Sequence, residues 1–202
     1  MPDLLGITVR RRLLLVRHAA TDATRAAAFP RDDDSLDARS LTAAAALAAA
    51  LPSRCEAMSS PAIRCRETVA AAGLDAATDA AIAECDFGAW SGRTLAEIDA
   101  EDHEGVAQWM CDPHAAPHGG ETLAAFTGRV GRWLDGQALR HGPAVAITHA
   151  GVVKAAVVHA LEAPTEAFWR IDVAPLAITE LHAHDGRWTI MRINCPAGGL
   201  AS

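Results

Sequence analysis

Lysine is almost missing from this 202-residue chain: Lys154 stands alone, and arginine supplies the rest of the fixed positive charge. With a formal net charge of −7, that scarcity argues against a general nucleic-acid binder, whose hold on phosphate backbones comes from clustered lysine and arginine. Scattered arginine suits bidentate recognition of one small phosphate or carboxylate better than it suits a broad patch. Long apolar runs are also lacking. Half the residues are hydrophobic, yet no run approaches the roughly 18 to 20 residues that cross a bilayer, and no membrane partner is expected. Arg10, Arg11 and Arg12 give a basic start, but the "LLLV" that follows is too short for a signal-peptide core, which leads to the expectation of a cytoplasmic protein.

The five cysteines, Cys55, Cys65, Cys85, Cys111 and Cys195, are odd in number and contain no CxxC pair, so free thiols in a reducing compartment are expected. Metal-ligand templates are missing as well. Asp32, Asp33 and Asp34 read as a solvated loop. His114 with His118, and His182 with His184, lack a matching carboxylate or cysteine pattern. Neither a metal nor another cofactor is expected. No repeat and no long Gly/Ser or Pro-rich linker divides the chain, and the expectation is one domain over residues 1–202.

What is present alternates. "RRLLLVRH" reads as a buried strand, and "SLTAAAALAAAL" (40–51) as a helix stopped by Pro52. "CEAMSS" is a short strand and "AIRCRETVAAAG" a helix closed by Gly73. "TLAEIDAEDHEGVAQWM" (94–110) and "ETLAAFTGRVGRWLDGQALRH" (121–141) have helical apolar spacing, the second with Glu121 expected in its first turn. "AVAITHAG" is a strand followed by the helix "VVKAAVVHALE". The dipeptide Asp185-Gly186 between "AITELHAH" and "RWTIMRIN" signals a hairpin. The predicted fold is a three-layer α/β/α domain with a mostly parallel sheet and an antiparallel edge hairpin near the C-terminus. The edge of that hairpin offers a surface for a homodimer.

Ligands of such sheets gather beyond the carboxyl ends of the strands. Three predicted strands end in polar residues: Arg17 and His18; Ser59 and Ser60, with Arg64 shortly after; Thr148 and His149. Charge and imidazole converging on one rim suit an anion. A neutral imidazole is a competent nucleophile toward phosphorus, and Arg17, Arg64 and a protonated His149 would compensate charge on the phosphoryl oxygens. Glu84 is the candidate proton donor for a leaving alkoxide. On spacing alone, Arg64 reads as a helix-surface arginine paired with Glu67 or Thr68, and His18 as a structural histidine.

These segments, in this order, resemble the histidine phosphatase superfamily, which includes phosphoglycerate mutases and α-ribazole phosphatases. "LVRHAAT" resembles its LxRHGxT signature and "SSPAIRCRET" its SSPxxRxxxT segment. "ECDFGAWSGRTLAEI", "PHGGET" and "ITHAGVVKA" are similar to the acidic, PGGES and second-histidine segments of the short α-ribazole-phosphatase-like branch. The resemblance implies that His18 is the phosphorylated nucleophile, that Arg17 and Arg64 hold phosphate, that Glu84 is the acid and later the base, and that His149 stabilises the transferring group. It also implies contacts from the Thr24 hydroxyl and the Ala150 backbone N–H. Ala19 and Ala150 replace family glycines, Thr24 an asparagine and Ser91 a glutamate, which leaves substrate preference open.

The expected function is therefore a metal-independent phosphatase that hydrolyses a small phosphorylated metabolite. A phosphoglycerate-mutase-type phosphotransferase is the first alternative, disfavoured by the lack of the extra length and basic residues that the family's mutases carry. A non-catalytic phospho-ligand-binding protein is the second.

Overall fold

Residues 11–197 are described by a computed structural model. Arg10 and the two ends of the expected 1–202 domain lie outside them. The strands are β1 (Arg11–Arg17), β2 (Glu56–Ser59), β3 (Ala77–Thr78), β4 (Gly142–Thr148), β5 (Ile178–His184) and β6 (Arg187–Cys195). They form one sheet in the order β3-β2-β4-β1-β5-β6. The first four in that order are mutually parallel, and β5 and β6 add an antiparallel hairpin at one edge. Asp185 and Gly186 both take positive φ at its turn, as a two-residue hairpin loop requires.

The continuous apolar run of β1 follows from burial on both faces. Leu13 and Leu15 pack with α6 (Leu123–Ala138) and α7 (Ala150–Ala160) through Phe126, Val130, Leu134 and Val153. Leu14 and Val16 face the other way, onto Leu47 and onto Cys65 and Val69 of α3 (Ile63–Ala71). All four strand residues are fully buried, and each such aliphatic side chain stabilises the fold by about 1.5–3 kcal/mol. The three expected layers are the result.

Several element boundaries differ from expectation for local reasons. The helix expected at 40–51 begins earlier, as α2 (Ala38–Ala45) capped by the Asp37 carboxylate on the Ser40 N–H, and its last turn tightens to 3₁₀ over Ala46–Ala50. The 94–110 stretch is two helices, α4 (Leu95–Glu101) and α5 (His103–Cys111), because the Asp102 side chain accepts the Gly105 N–H at 2.9 Å and starts a new helix. Glu121 is not in the first turn of α6. Thr122 is the cap, and Glu121 stands before it, paired with Arg129. A four-residue helix, α1 (Asp22–Arg25), was not anticipated, and neither was the two-residue β3. No helix among the described residues is long and apolar enough to cross a membrane.

Candidate active site

Pairing between β1, β4 and β2 sets the site. Arg17 is level with Thr148, and the His18 N–H extends the ladder onto the Thr148 carbonyl at 2.8 Å. Ser59 is level with Ile147, and the Ser60 N–H reaches the Ile147 carbonyl at 3.0 Å. Three adjacent parallel strands therefore release their next residues on the same rim. The first turn of α3 adds Arg64 beside them.

Arg64 ties these residues together. Its Nε donates to His18 Nε2 at 3.2 Å, its Nη2 to His149 Nδ1 at 3.1 Å and its Nη1 to the Arg31 carbonyl at 2.6 Å. The surface arginine suggested by its spacing is thus corrected: Arg64 is 1% exposed, and Glu67 instead accepts the Leu36 N–H. A guanidinium only donates, so each imidazole must present a lone pair to it. His18 then carries its proton on Nδ1, which donates to the Ala19 carbonyl at 2.7 Å. His149 carries its proton on Nε2, facing Ser60 Oγ at 2.7 Å. The ring centroids lie 5.3 Å apart in an edge arrangement.

Electrostatics agree with those tautomers. Burial first, and the Arg64 charge second, push His18 down to about 3. Burial and then Arg64 also hold His149 well below its ordinary value. Burial and the Arg64 charge thus favour the neutral form of both rings, and the imidazolium expected at His149 needs a compensating negative charge beside it. Arg17 donates to the Val173 carbonyl, its Nε is buried without a partner, and burial lowers its basicity while nearby Glu84 and Asp172 oppose that effect. Among the described residues neither Arg17 nor Arg64 forms an ion pair with a carboxylate.

Glu84 follows a 3₁₀ turn (Ala80–Ile82) and is partly open to a cleft of about 900 Å³ that Arg64 also lines. Its carboxyl accepts N–H groups from Cys85, at 3.1 Å, and from Gly151. Burial nevertheless raises its pKa, against those hydrogen bonds and the two arginines. Arg129 of α6 clamps this loop, donating to the carbonyls of Ala81, Ala83 and Glu84 while forming a two-pronged pair with Glu121.

The remaining expected residues are placed as follows. Ala150 opens α7, where backbone N–H groups lack helical partners. Thr24 is tied to Thr21 in a reciprocal cap of α1, and its hydroxyl is 3.1 Å from that of Thr21. Ala19 is fully buried without a left-handed φ, and its N–H donates to Thr68 Oγ1. Ser91 lines the wide cleft. His118 is buried among Phe87, Trp90 and Trp109 and accepts the Gly120 N–H, whereas His114 lines a separate cleft beside α6 and α7. His182 is partly buried and hydrogen-bonded to Glu180.

Sequence reasoning assigned no role in the site to Gly151, Arg129 or Cys65, whose sulfur is 3.6 Å from His149 Nε2. Gly151 is confined by the acid: a Cβ there would lie 2.2 Å from Glu84 Oε1. Chemically, the rim offers a neutral imidazole lone pair, two guanidinium groups that among the described residues have no carboxylate partner, the N-terminal end of α7 and a carboxyl held toward its protonated form. Such a set can receive an oxyanion, attack its centre and protonate a departing oxygen.

The sequence profile of the histidine phosphatase superfamily (branch 1) matches residues 13–196. A bifunctional protein of Mycobacterium tuberculosis is 31% identical over 195 residues, which cover 91% of this chain and 53% of that protein. The adenosylcobalamin/α-ribazole phosphatase of Escherichia coli is 28% identical over 111 residues, 54% of this chain and 50% of its own. The chain thus spans about half the length of these curated relatives. Among solved structures, the α-ribazole phosphatase of Shigella flexneri superposes with a TM-score of 0.79 at 24% identity, covering 91% of this chain and 96% of that one. The mycobacterial glucosyl-3-phosphoglycerate phosphatase gives 0.78 at 26%, covering 92% and 99%. With the profile spanning nearly all the described residues and the same fold in these structures, the chain belongs to the histidine phosphatase superfamily.

Proposed function

We propose that this chain is a phosphomonoester hydrolase that works through a phosphohistidine on His18. The observation that carries the reading is the pair of arginines, Arg17 and Arg64, which among the described residues have no carboxylate partner, beside an imidazole whose Nε2 lone pair Arg64 itself occupies. A phosphate dianion entering the rim takes over the Arg64 donors, at about 1.5–3 kcal/mol for each charge-assisted hydrogen bond, and so frees the lone pair.

His18 Nε2 then forms the new N–P bond while the ester P–O bond breaks. The departing oxygen takes the Glu84 proton. In the second step the Glu84 carboxylate removes a proton from water, whose oxygen displaces His18 and yields inorganic phosphate. His149 and Arg17 hold the equatorial oxygens, and the dianion raises the proton affinity of His149, which favours the imidazolium only once phosphate is present. The Ala150 N–H contributes a backbone donor, and the Thr24 hydroxyl joins by turning from its Thr21 partner.

The names of the relatives support phosphate-ester hydrolysis: besides those above, phosphoserine phosphatase 1 of Hydrogenobacter thermophilus is 27% identical over 131 residues, 63% of this chain and 62% of its own. The test is release of phosphate from p-nitrophenyl phosphate in EDTA between about pH 5 and 8. The wild type is expected to turn over, and His18→Ala to lose that turnover. Equal release from both would end the hydrolase reading and favour a phospho-ligand binder, whereas transfer to an added alcohol in preference to water would favour a phosphotransferase.

A further inference from the structure

Glu84 lies at the wall between two clefts. One is the wide space beside Arg64, lined by charges of both signs, Asp32, Asp33, Asp86 and Glu121 with Arg31 and Arg129, and suited to solvent rather than to a flat apolar group. The other holds about 160 Å³ and is walled by Phe87, Trp109, Trp169 and Phe126, with Lys154 inside it. A cavity of about 150 Å³ is enough for a benzene ring. Trp109 of α5 meets Trp169 of a 3₁₀ turn (Thr165–Arg170) edge to face at 4.7 Å, so two separate elements build the wall.

Lys154 is the chain's single lysine and is half-buried on α7, its ammonium 5.3 Å from the centre of the Phe168 ring. Among the described residues it forms no ion pair and no hydrogen bond. Burial lowers its basicity, with Asp172 and Glu84 only partly compensating. A half-buried cation thus rests on an aromatic floor, one wall away from the group proposed to protonate the departing oxygen.

We infer that the leaving group of the substrate is a flat apolar unit bearing a carboxylate, which packs against the aromatic wall of Phe87, Trp109 and Trp169 and pairs with Lys154. The inference rests on the phosphatase reading: the phosphorus at His18 and the bridging oxygen at Glu84 direct the rest of the ester into this narrow cleft. The aromatic walls select a planar body, and Lys154 selects the charge at its far end.

The experiment compares kcat/KM for 4-carboxyphenyl phosphate and phenyl phosphate in the wild type, Lys154→Met and Lys154→Arg. Both substrates present the same intrinsic chemistry to every variant, so the change in their ratio isolates the side chain. The expected result is a ratio that falls about tenfold in Lys154→Met, the factor typical of one charge-assisted contact, and recovers in part in Lys154→Arg. A ratio unchanged by Lys154→Met overturns the inference. If Lys154→Met does not fold, Lys154→Gln reads the same ratio. Calorimetric binding of benzylphosphonate and its 4-carboxy derivative reads the same discrimination without turnover. A wild type that hydrolyses neither ester yet prefers the carboxylated phosphonate through Lys154 keeps the subsite and loses the hydrolase, and one that hydrolyses both without a Lys154-dependent ratio does the reverse.

Discussion

Arg64 Nε lies 3.2 Å from His18 Nε2, so a permanent cation occupies the lone pair of the nitrogen proposed as nucleophile. The same guanidinium reaches His149 Nδ1, which makes one side chain set the tautomer of both rings and add its charge to the burial that keeps them neutral. Lysine cannot span both nitrogens with fixed geometry. Arg64→Lys is expected to lower kcat by about 100-fold or more, the usual loss when one preorganised donor is removed from a reacting oxyanion. In Arg64→Ala the His18 imidazole should titrate above its present value of about 3, a shift that NMR of the ring protons would read.

Glu84 gives opposite signs for rate and stability. Its folded pKa is raised, so as pH climbs above the ordinary carboxyl value the unfolded chain ionises first and stability falls. Glu84→Gln should therefore melt higher than the wild type at about pH 8, by about 2–4 °C if the relief is near 1 kcal/mol. The same variant should lose about 100- to 10,000-fold in turnover of alkyl phosphates. Its loss of kcat/KM on p-nitrophenyl phosphate should be smaller, because that leaving group needs no proton and kcat/KM ends at the first phosphoryl transfer.

Gly151→Ala tests the seat of the acid. The added carbon would meet Glu84 Oε1 at 2.2 Å and Phe126 at 3.2 Å, so the carboxyl must move. A displacement of about 1 Å costs about 100-fold in rate. The expected outcome is a fall in kcat/KM on alkyl phosphates that exceeds the fall on p-nitrophenyl phosphate.

Acid should unfold the protein through its buried rings. His18 has a folded value of about 3 against an ordinary 6.5, and His149 is shifted in the same direction. Between those values the unfolded chain binds more protons, so the stability is fully present above about pH 6.5 and is lost as pH falls toward 3. Each ring contributes up to about 1.4 kcal/mol per pH unit. Urea midpoints measured from about pH 7 down to 4.5 should decline, and His18→Asn should flatten that decline.

The legible part of the fold was set by patterns that local chemistry alone enforces. A run buried on both faces, as in β1, or Asp185-Gly186 between alternating residues, leaves few other structures open. The strand ends were readable for the same reason, and with them the positions of His18 and His149. Arg64 was different. Its spacing on α3 alone is that of a surface residue; the strand ends and the family segment put it at the rim, and the paired strands add its direct bonds to both imidazoles. Gly151 and Arg129 act through loops distant in sequence, so nothing near them announced a contact with Glu84 or its carbonyls. The break at Asp102 did carry a signal, an aspartate three residues before Gly105, which the apolar spacing of the stretch masked.

The most direct test of the account is to mix the protein with a phosphomonoester, quench within one turnover and locate any added phosphoryl group by mass spectrometry under conditions that preserve phosphohistidine. The account predicts one phosphoryl group on His18, absent from His18→Ala and longer-lived in Glu84→Gln, where the base for water is missing when the leaving group departs unaided. Turnover by the wild type with no phosphorylated His18 at any time point, or an undiminished rate in His18→Ala, would contradict it.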